Sequence, residues 1–110
     1  MKSARLWIMK TQDCKECPIS KVVELLGDSC SILILRDLFE GPKRFGQLQT
    51  SLDVSTRTLT IKLKKLEQEG LVVRTEYHEH PPRVEYSLTK KGAAFQEVED
   101  AMRAYGKKYL

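Results

Sequence analysis

The residues best suited to bind another molecule lie in segment 55–69, STRTLTIKLKKLEQE. Leu59, Leu63 and Leu66 recur at helical spacing, and Ser55 is a residue type that favours the N-cap of a helix. The opposite side carries cations, hydroxyl groups and one apolar group, the combination that contacts base edges, thymine methyl groups and phosphates in a DNA groove. We therefore predict a helix that packs on the core by its leucines and presents a second side to DNA. That second side consists of Arg57, Thr60, Ile61, Lys64 and Gln68.

Most of these side chains, and the residues at the start of the helix, have a predicted role. At about 22 Å, the helix is long enough to lie in a major groove. Arg57 is the candidate for a guanine contact, because its guanidinium can donate two hydrogen bonds to that base. Thr60 and Ile61 are placed to touch bases or thymine methyl groups, whereas Lys64 is better placed to meet a phosphate. Three hydroxyl residues occupy the predicted N-terminus, where backbone N–H groups favour a phosphate: Ser55, Thr56 and Thr58.

Scattered lysines more often mark a solvated helix face, so the neighbouring elements have to decide between the two interpretations. Residues 44–52 are predicted to form a helix, with Phe45, Leu48 and Leu52 at helical spacing. Only Asp53 and Val54 separate it from Ser55, and a connection this short is typical of a helix-turn-helix. Upstream, one helix is predicted from Cys17-Pro18 to Gly27, and a second, apolar almost all round, is predicted to be capped by Ser29 or Ser31 and ended by Gly41-Pro42.

After Gly70 the hydrophobic period changes from 3.6 to 2, which is typical of strands. Charged residues alternate with apolar or β-branched ones over residues 73–77 and over residues 84–88, and residues 78–82 between them include two prolines. Proline fixes φ and lacks an N–H group, so we predict a hairpin with a stiff tip, called the wing below. The apolar sets of the two strands are Val73, Thr75 and Tyr77, and Val84, Tyr86 and Leu88.

Basic residues also flank the predicted helix-turn-helix. Lys43 and Arg44 stand where they would clamp the adjoining DNA backbone. Arg83, with His78 or His80, is predicted to reach the minor groove from the wing.

The last segment carries an apolar seam at steps of three and four residues, the spacing of a helix that meets another helix. Thr89 is predicted to cap this final helix. A short apolar cluster near the N-terminus also needs a surface to pack on, so we predict a homodimer; the alternative is that both sets pack on the chain's own core. The predicted interface consists of Leu6, Trp7, Ile8 and Met9, and of Phe95, Val98, Met102, Tyr105 and Tyr109.

Helices, a helix-turn-helix and a hairpin make the winged-helix arrangement, and specific residues resemble the HxlR-type family of bacterial transcriptional regulators. The resemblance implies a regulator of transcription that binds DNA. The chain departs from the family at Cys30, where tryptophan is usual, and at Ile61, where glutamine is usual, so the family's DNA sequence preference does not carry over at Ile61. The matching pieces include Cys17-Pro18, residues 33–38 with Gly41-Pro42, residues 44–48, Leu59-Thr60, Leu63, Leu66-Glu67, residues 70–72, residues 81–89 (PPRVEYSLT) and Gly92.

Length and composition fit this interpretation. A chain of 110 residues is predicted to form one domain, residues 1–110, mostly α with a small β-hairpin (α+β). Within it we expect an N-terminal arm (1–15), the helix-turn-helix and wing (16–88) and a dimerisation helix (89–110). The net charge of +4 suits a polyanionic partner. No apolar run approaches the length of a membrane span or a secretion signal, so we expect a cytoplasmic protein.

Three cysteines, an odd number, favour reduced thiols over a disulfide scaffold. Cys14 and Cys17 are spaced C-x-x-C beside lysines, conditions that favour thiolate. The resemblance implies that Cys17 can sense oxidants, quinones or aldehydes, with Cys14 or Cys30 as resolving partner; the alternative is a small buried residue. A zinc site made of Cys14, Cys17, His78 and His80 is disfavoured, because the histidines belong to the predicted wing, far from the first helix.

We therefore predict a homodimeric, sequence-specific regulator of transcription, acting as a repressor on double-stranded DNA with a pseudo-palindromic operator. An enzyme is not predicted, because the sequence contains no nucleophile elbow, phosphate loop or cluster of metal ligands. No cofactor or metal is expected, and no effector can be named. The remaining alternative is a non-specific architectural or RNA-binding protein.

Overall fold

Helices precede and follow a two-stranded antiparallel hairpin in the computed structural model, which describes residues 17–110. This order confirms the predicted winged helix-turn-helix, mostly α with a small hairpin. The predicted arm, including Leu6, Trp7, Ile8, Met9 and Cys14, lies outside the described residues. The elements are α1 (Pro18–Leu26), α2 (Ser29–Leu38), α3 (Phe45–Leu52), α4 (Thr56–Gln68), β1 (Val72–Tyr77), β2 (Arg83–Leu88), α5 (Lys90–Ala93) and α6 (Gln96–Tyr109).

The core forms where α2 packs against α3, α4 and the hairpin. Its apolar side chains come from residues that are hydrophobic at helical spacing, so each helix is held by one stripe. Helix α2, whose sequence is apolar almost all round, is the central helix, and its Ile34 and Leu35 are completely buried. The other core residues are Leu26, Leu38, Leu48, Leu59, Leu63, Leu66, Leu71, Val72 and Tyr86.

The cap of α2 differs from the prediction. Ser29 and Ser31 were the expected N-cap residues, but Asp28 takes that position, and its carboxylate accepts hydrogen bonds from the Ser31 backbone N–H (2.8 Å) and hydroxyl (2.9 Å). The prediction was wrong because several consecutive residues were good cap formers, and the chain begins the helix at the first of them.

The register of the hairpin decides which side of β1 faces the core. Val72 pairs with Leu88, Arg74 with Tyr86, and Glu76 with Val84, and residues directly opposite each other share a face of the sheet. The set Val73, Thr75 and Tyr77 therefore lies on the other face, opposite Ser87, Glu85 and Arg83. Val72 is buried, whereas Val73 is exposed. The apolar set of β1 therefore does not share a face with the apolar set of β2, and a charged residue, Arg74, lies on the face that carries Tyr86.

The C-terminal segment is divided into two helices where one was predicted. Thr89 does cap the first, α5, because its hydroxyl oxygen accepts the Gly92 N–H at 3.1 Å. The backbone then tightens, since the Phe95 N–H donates to the Gly92 carbonyl (3.1 Å), three residues back, before α6 begins. Phe95 is half-buried and packs against the core. The seam of apolar residues on α6 therefore starts at Val98.

Candidate nucleic-acid interface

The orientation of α4 is fixed by its leucines. Leu59, Leu63 and Leu66 are at most 1% exposed, as the predicted core stripe requires. The opposite side is open to solvent, and Ile61 is 52% exposed, a large fraction for an isoleucine. We call α4 the recognition helix, and its outward face consists of Arg57, Thr60, Ile61, Lys64 and Gln68, all of them exposed.

The turn before the recognition helix is held by side chains. Asp53 ends α3 in the left-handed conformation (φ 51°), so the chain reverses within a few residues. The Gln49 amide then donates to the Val54 carbonyl (3.3 Å) and to the Thr56 hydroxyl oxygen (2.9 Å). These hydrogen bonds join α3 to the first turn of the recognition helix, so the two helices keep one relative orientation.

The predicted polar residues of this first turn differ in what they are free to do. The Ser55 hydroxyl oxygen accepts the Thr58 N–H (3.1 Å), and the Ser55 hydroxyl donates to the Thr58 hydroxyl oxygen (3.0 Å). The Thr60 hydroxyl donates to the Thr56 carbonyl at 2.7 Å. Arg57, by contrast, makes no hydrogen bond or ion pair with the described residues, so its guanidinium can serve an external partner.

The other lysines of the recognition helix fasten it to the fold. Lys62 forms an ion pair with Asp28 (3.5 Å), and the Lys65 ammonium donates to the Glu24 carbonyl (3.4 Å). Both therefore point to the flank that meets α1 and α2. Among the lysines of this helix, Lys64 alone belongs to the outward face.

Lys43 and Arg44 lie beside β2, just before α3. The Lys43 backbone pairs with Tyr86 through two hydrogen bonds (3.0 and 2.8 Å), which extends the sheet by one residue. Its ammonium forms an ion pair with Glu40 at 3.0 Å. Arg44 is exposed, and its backbone N–H donates to the Gln47 side chain at 2.9 Å. Of the two cations, Arg44 is therefore the one without a carboxylate partner among the described residues.

Arg83 is less available than the sequence suggested. Its guanidinium lies 3.1 Å from Glu79 and 3.4 Å from Glu85, and it stacks over the Tyr77 ring at 4.2 Å. These three neighbours hold it against the wing. His78 and His80, at the tip, are exposed.

A cleft of about 420 Å³ separates the recognition helix from the wing. Arg74 lines it, a residue that the sequence analysis did not select. Its guanidinium forms a 2.7 Å ion pair with Glu76, and the hydrogen bonds that it donates to Glu76 and then to Tyr86 raise the pKa of Arg74. Alternation from the buried Val72 puts Arg74 on the same face of β1, and the pairing of the strands sets it opposite Tyr86. The cleft is lined by Phe45, Thr60, Leu63, Lys64, Glu67, Gln68, Arg74 and Tyr86.

A second surface is apolar. Val98, Met102, Tyr105 and Tyr109 of α6 are all exposed, and Tyr105 and Tyr109 lie 5.0 Å apart between ring centroids. Phe95 does not share this surface, since it packs on the core. Helix α1 also exposes three apolar side chains. These are Ile19, Val22 and Val23.

The cysteines have different surroundings. Cys17 is the N-cap residue of α1 and is half-buried. At Cys30, burial and the nearby Asp28 carboxylate raise the pKa of the thiol, and Lys62 opposes them only in part. The thiol form of Cys30 is therefore favoured over the thiolate. Within residues 17–110, no three His, Cys, Asp or Glu side chains are grouped as metal ligands.

Among the helices of residues 17–110, none has both the length and the apolar character needed to cross a membrane.

Comparison with known proteins gives consistent matches. Residues 25–110 match the family model described as HxlR-like helix-turn-helix. An uncharacterized HTH-type transcriptional regulator of Synechocystis is 50% identical over 95 residues, covering 86% of this chain and 70% of that protein.

Two solved structures that share the fold are redox or transcriptional regulators by description. The redox regulator HypR in its oxidized form superposes with a TM-score of 0.79 at 30% identity, over 86% of this chain and 98% of that one. The reduced form of the transcriptional regulator YodB from B. subtilis gives 0.76 at 36% identity, over 86% and 94%.

Proposed function

This chain belongs to the HxlR-like helix-turn-helix family, whose members are DNA-binding regulators of transcription, and we propose that it acts as a homodimeric, sequence-specific repressor. In this proposal the recognition helix enters the major groove and the wing meets the adjoining minor groove. Residues 16–88 hold the helix-turn-helix and the wing that contact DNA, and residues 89–110, together with the exposed face of α1, join two protomers. Repression follows when a bound dimer covers DNA that the polymerase needs.

The observation that carries the proposal is the outward face of the recognition helix. It combines a guanidinium without a partner among residues 17–110, an exposed apolar side chain and a lysine, all projected by a helix whose other side is buried. Arg57 can read a guanine, Ile61 a thymine methyl group, and Lys64 a phosphate. An exposed isoleucine between two cations is costly in water, and a thymine methyl group would cover it.

The proposed dimer is supported by the apolar surfaces of α1 and α6. Tyr105 and Ile19 are 62% and 66% exposed, and apolar patches of this kind commonly mark protein interfaces. A two-fold dimer would present two recognition helices about 34 Å apart, so the operator would be pseudo-palindromic.

Regulation by thiol oxidation is a further part of the proposal, supported by the likeness to HypR and YodB. Cys17 begins α1, which carries part of the exposed apolar surface, so modification of its sulfur would alter the proposed interface. We expect mild oxidant to change operator affinity in the wild type and to leave Cys17→Ser unchanged. Equal affinities of the wild type before and after oxidation would remove this part.

Selection of bound duplexes from a random pool tests DNA reading directly. Fluorescence anisotropy should then give an affinity for the selected duplex on the order of 10³ times that for random duplex, or more. A ratio near one would favour the alternative, a non-specific architectural protein. The selected duplex also serves the experiments below.

A further inference from the structure

The cleft between the recognition helix and the wing lies where, in the proposed complex, a strand of DNA must pass. If the helix lies in the major groove and the wing in the next minor groove, the sugar-phosphate strand that separates these grooves must pass between them. The space between them is the cleft, and Thr60 and Lys64 belong both to its lining and to the outward face. This inference rests on the proposed function and adds a binding role for the cleft.

The lining of the cleft suits such a strand. Phe45, Leu63 and Tyr86 form an apolar floor, against which the carbon atoms of deoxyribose can pack. Lys64 and Arg74 supply two cations, and Glu67 is a carboxylate in the same lining. Cations at the edge of an apolar floor match a chain of sugars joined by phosphates better than they match an uncharged ligand.

Arg74 reaches the cleft because of the register of the hairpin. It is opposite Tyr86 in the sheet, so its side chain projects on the face that turns toward the body of the protein. Its partner Glu76, two residues along β1, lies on the same face and holds the guanidinium at 2.7 Å. Both side chains are open to solvent, at 41% and 54% exposure. Exposed ion pairs of this kind contribute little, so the guanidinium can leave the carboxylate at small cost.

We propose that the cleft binds the sugar-phosphate strand between the two grooves, with Lys64 and Arg74 contacting its phosphates, and that Arg74 exchanges Glu76 for a phosphate when DNA arrives. A guanidinium can donate two parallel hydrogen bonds to a phosphate, as it can to a carboxylate. Glu76 keeps Arg74 in place while the site is empty and competes with DNA for it. The contact carries no base information, so it fixes the register of the recognition helix on the duplex.

The first test is the salt dependence of operator binding for full-length variants. Arg74→Ala should weaken binding to selected and random duplexes alike and reduce the slope of log affinity against log salt by about 0.9 for each protomer bound. Glu76→Gln, which removes the competitor but keeps Arg74, should bind more tightly than the wild type. Lys107→Ala removes an exposed cation of α6 and is the matched control, with an unchanged slope. Thermal unfolding confirms that each variant is folded.

The second test replaces single phosphates of the selected duplex by neutral methylphosphonates. One replacement, in the strand between the major-groove and minor-groove contacts, should weaken wild-type binding and have little effect on Arg74→Ala. Additive losses for the protein and DNA changes would overturn the proposal, as would an Arg74→Ala slope equal to that of the wild type. Benzoate, an apolar anion, serves as a probe of the cleft. If operator DNA displaces bound benzoate but Arg74→Ala leaves the salt slope unchanged, the cleft is a small-molecule site and the proposal is overturned.

The two proposals fail in different ways. If the wild type shows no preference for any duplex, the proposed function is wrong. If the wild type binds its selected duplex tightly and Arg74→Ala behaves like Lys107→Ala, only the role of the cleft is wrong.

Discussion

At the scale of single residues, the side chains of the recognition helix divide by angle around the helix. Lys62 and Lys65 differ from Lys64 only in position, yet they contact Asp28 and Glu24, while Lys64 remains outward. A count of basic residues would treat the three alike. The leucine spacing separates them, and for this reason the outward face could be predicted from sequence.

Arg57→Ala tests the proposed base contact. Because Arg57 has no partner among the described residues, its loss should leave the fold unchanged, while the affinity for the selected duplex falls by about 1–3 kcal/mol. One base position should also become less selective, which repeated selection with the variant would reveal. Lys64→Ala is the comparison, since loss of a phosphate contact weakens all duplexes alike. A uniform loss for Arg57→Ala would mark it as a phosphate contact instead.

Asp28 gives a prediction about pH. Burial, the largest influence, raises the pKa of its carboxyl, but hydrogen bonds from the Ser31 backbone and hydroxyl, with the Lys62 charge, together lower it below 3.8. A carboxyl whose pKa is lower in the folded state stabilises the fold above its unfolded pKa and loses that contribution as the pH falls through the folded value. The ionised form of Asp28 is thus the stabilising one.

We expect Asp28→Asn to be less stable than the wild type at neutral pH, with the difference shrinking as the pH falls below 3.8. Asparagine is also a good N-cap residue, so the substitution mainly removes the charge. Urea unfolding of both proteins over a pH series measures the difference. A constant difference down to the lowest pH would show that the charge of Asp28 is not responsible.

At the scale of elements, the hairpin shows where sequence reasoning stops. Alternation with a period of 2 divides β1 into two faces but does not say which one meets the core. Val73, Thr75 and Tyr77 form the more apolar set. The docking of the hairpin on α2 and α4 buries Val72, which sets the register. That choice depends on contacts distant in sequence, and Arg74 was missed for the same reason.

Gly92 explains how α5 meets the hairpin. A methyl group at this position would overlap the Leu71 carbonyl oxygen and press on the Leu88 side chain, so only glycine allows this approach. Gly92→Ala should therefore reduce the free energy of unfolding by about 1–3 kcal/mol. Gly46→Ala is the control, because Gly46 lies in a helix with open space around it. This substitution should raise the free energy of unfolding by about 0.4–1 kcal/mol. Chemical denaturation measures both, and equal effects would contradict the argument.

At the scale of the whole molecule, α1 and α6 leave apolar faces uncovered by the rest of residues 17–110. The seam on α6 could be predicted from its spacing, but its start could not, because Phe95 packs on the core only where the C-terminal segment divides. The contribution of α1 was also missed. In a helix of nine residues, apolar side chains on two sides do not reveal which side the protein covers.

Met102→Glu tests the proposed dimer. A carboxylate in the middle of the apolar face would lose its hydration on association, so we expect sedimentation at micromolar concentration to show monomer for the variant and dimer for the wild type. Lys107→Glu places the same group on the opposite side of α6 and should remain dimeric. A wild type that sediments only as monomer would refute the homodimer. It would not test whether the recognition helix binds DNA.

The two backbone hydrogen bonds between Lys43 and Tyr86 affect which groove spacing the protein can fit. They clasp the chain just before α3 to the middle of β2, and the intervening residues 44–85 include the recognition helix and most of the wing. The two hydrogen bonds thus fix the spacing between the recognition helix and the wing. Groove width varies with base sequence, so in the proposed complex this fixed spacing would favour duplexes whose grooves already match it, including at positions that no side chain touches.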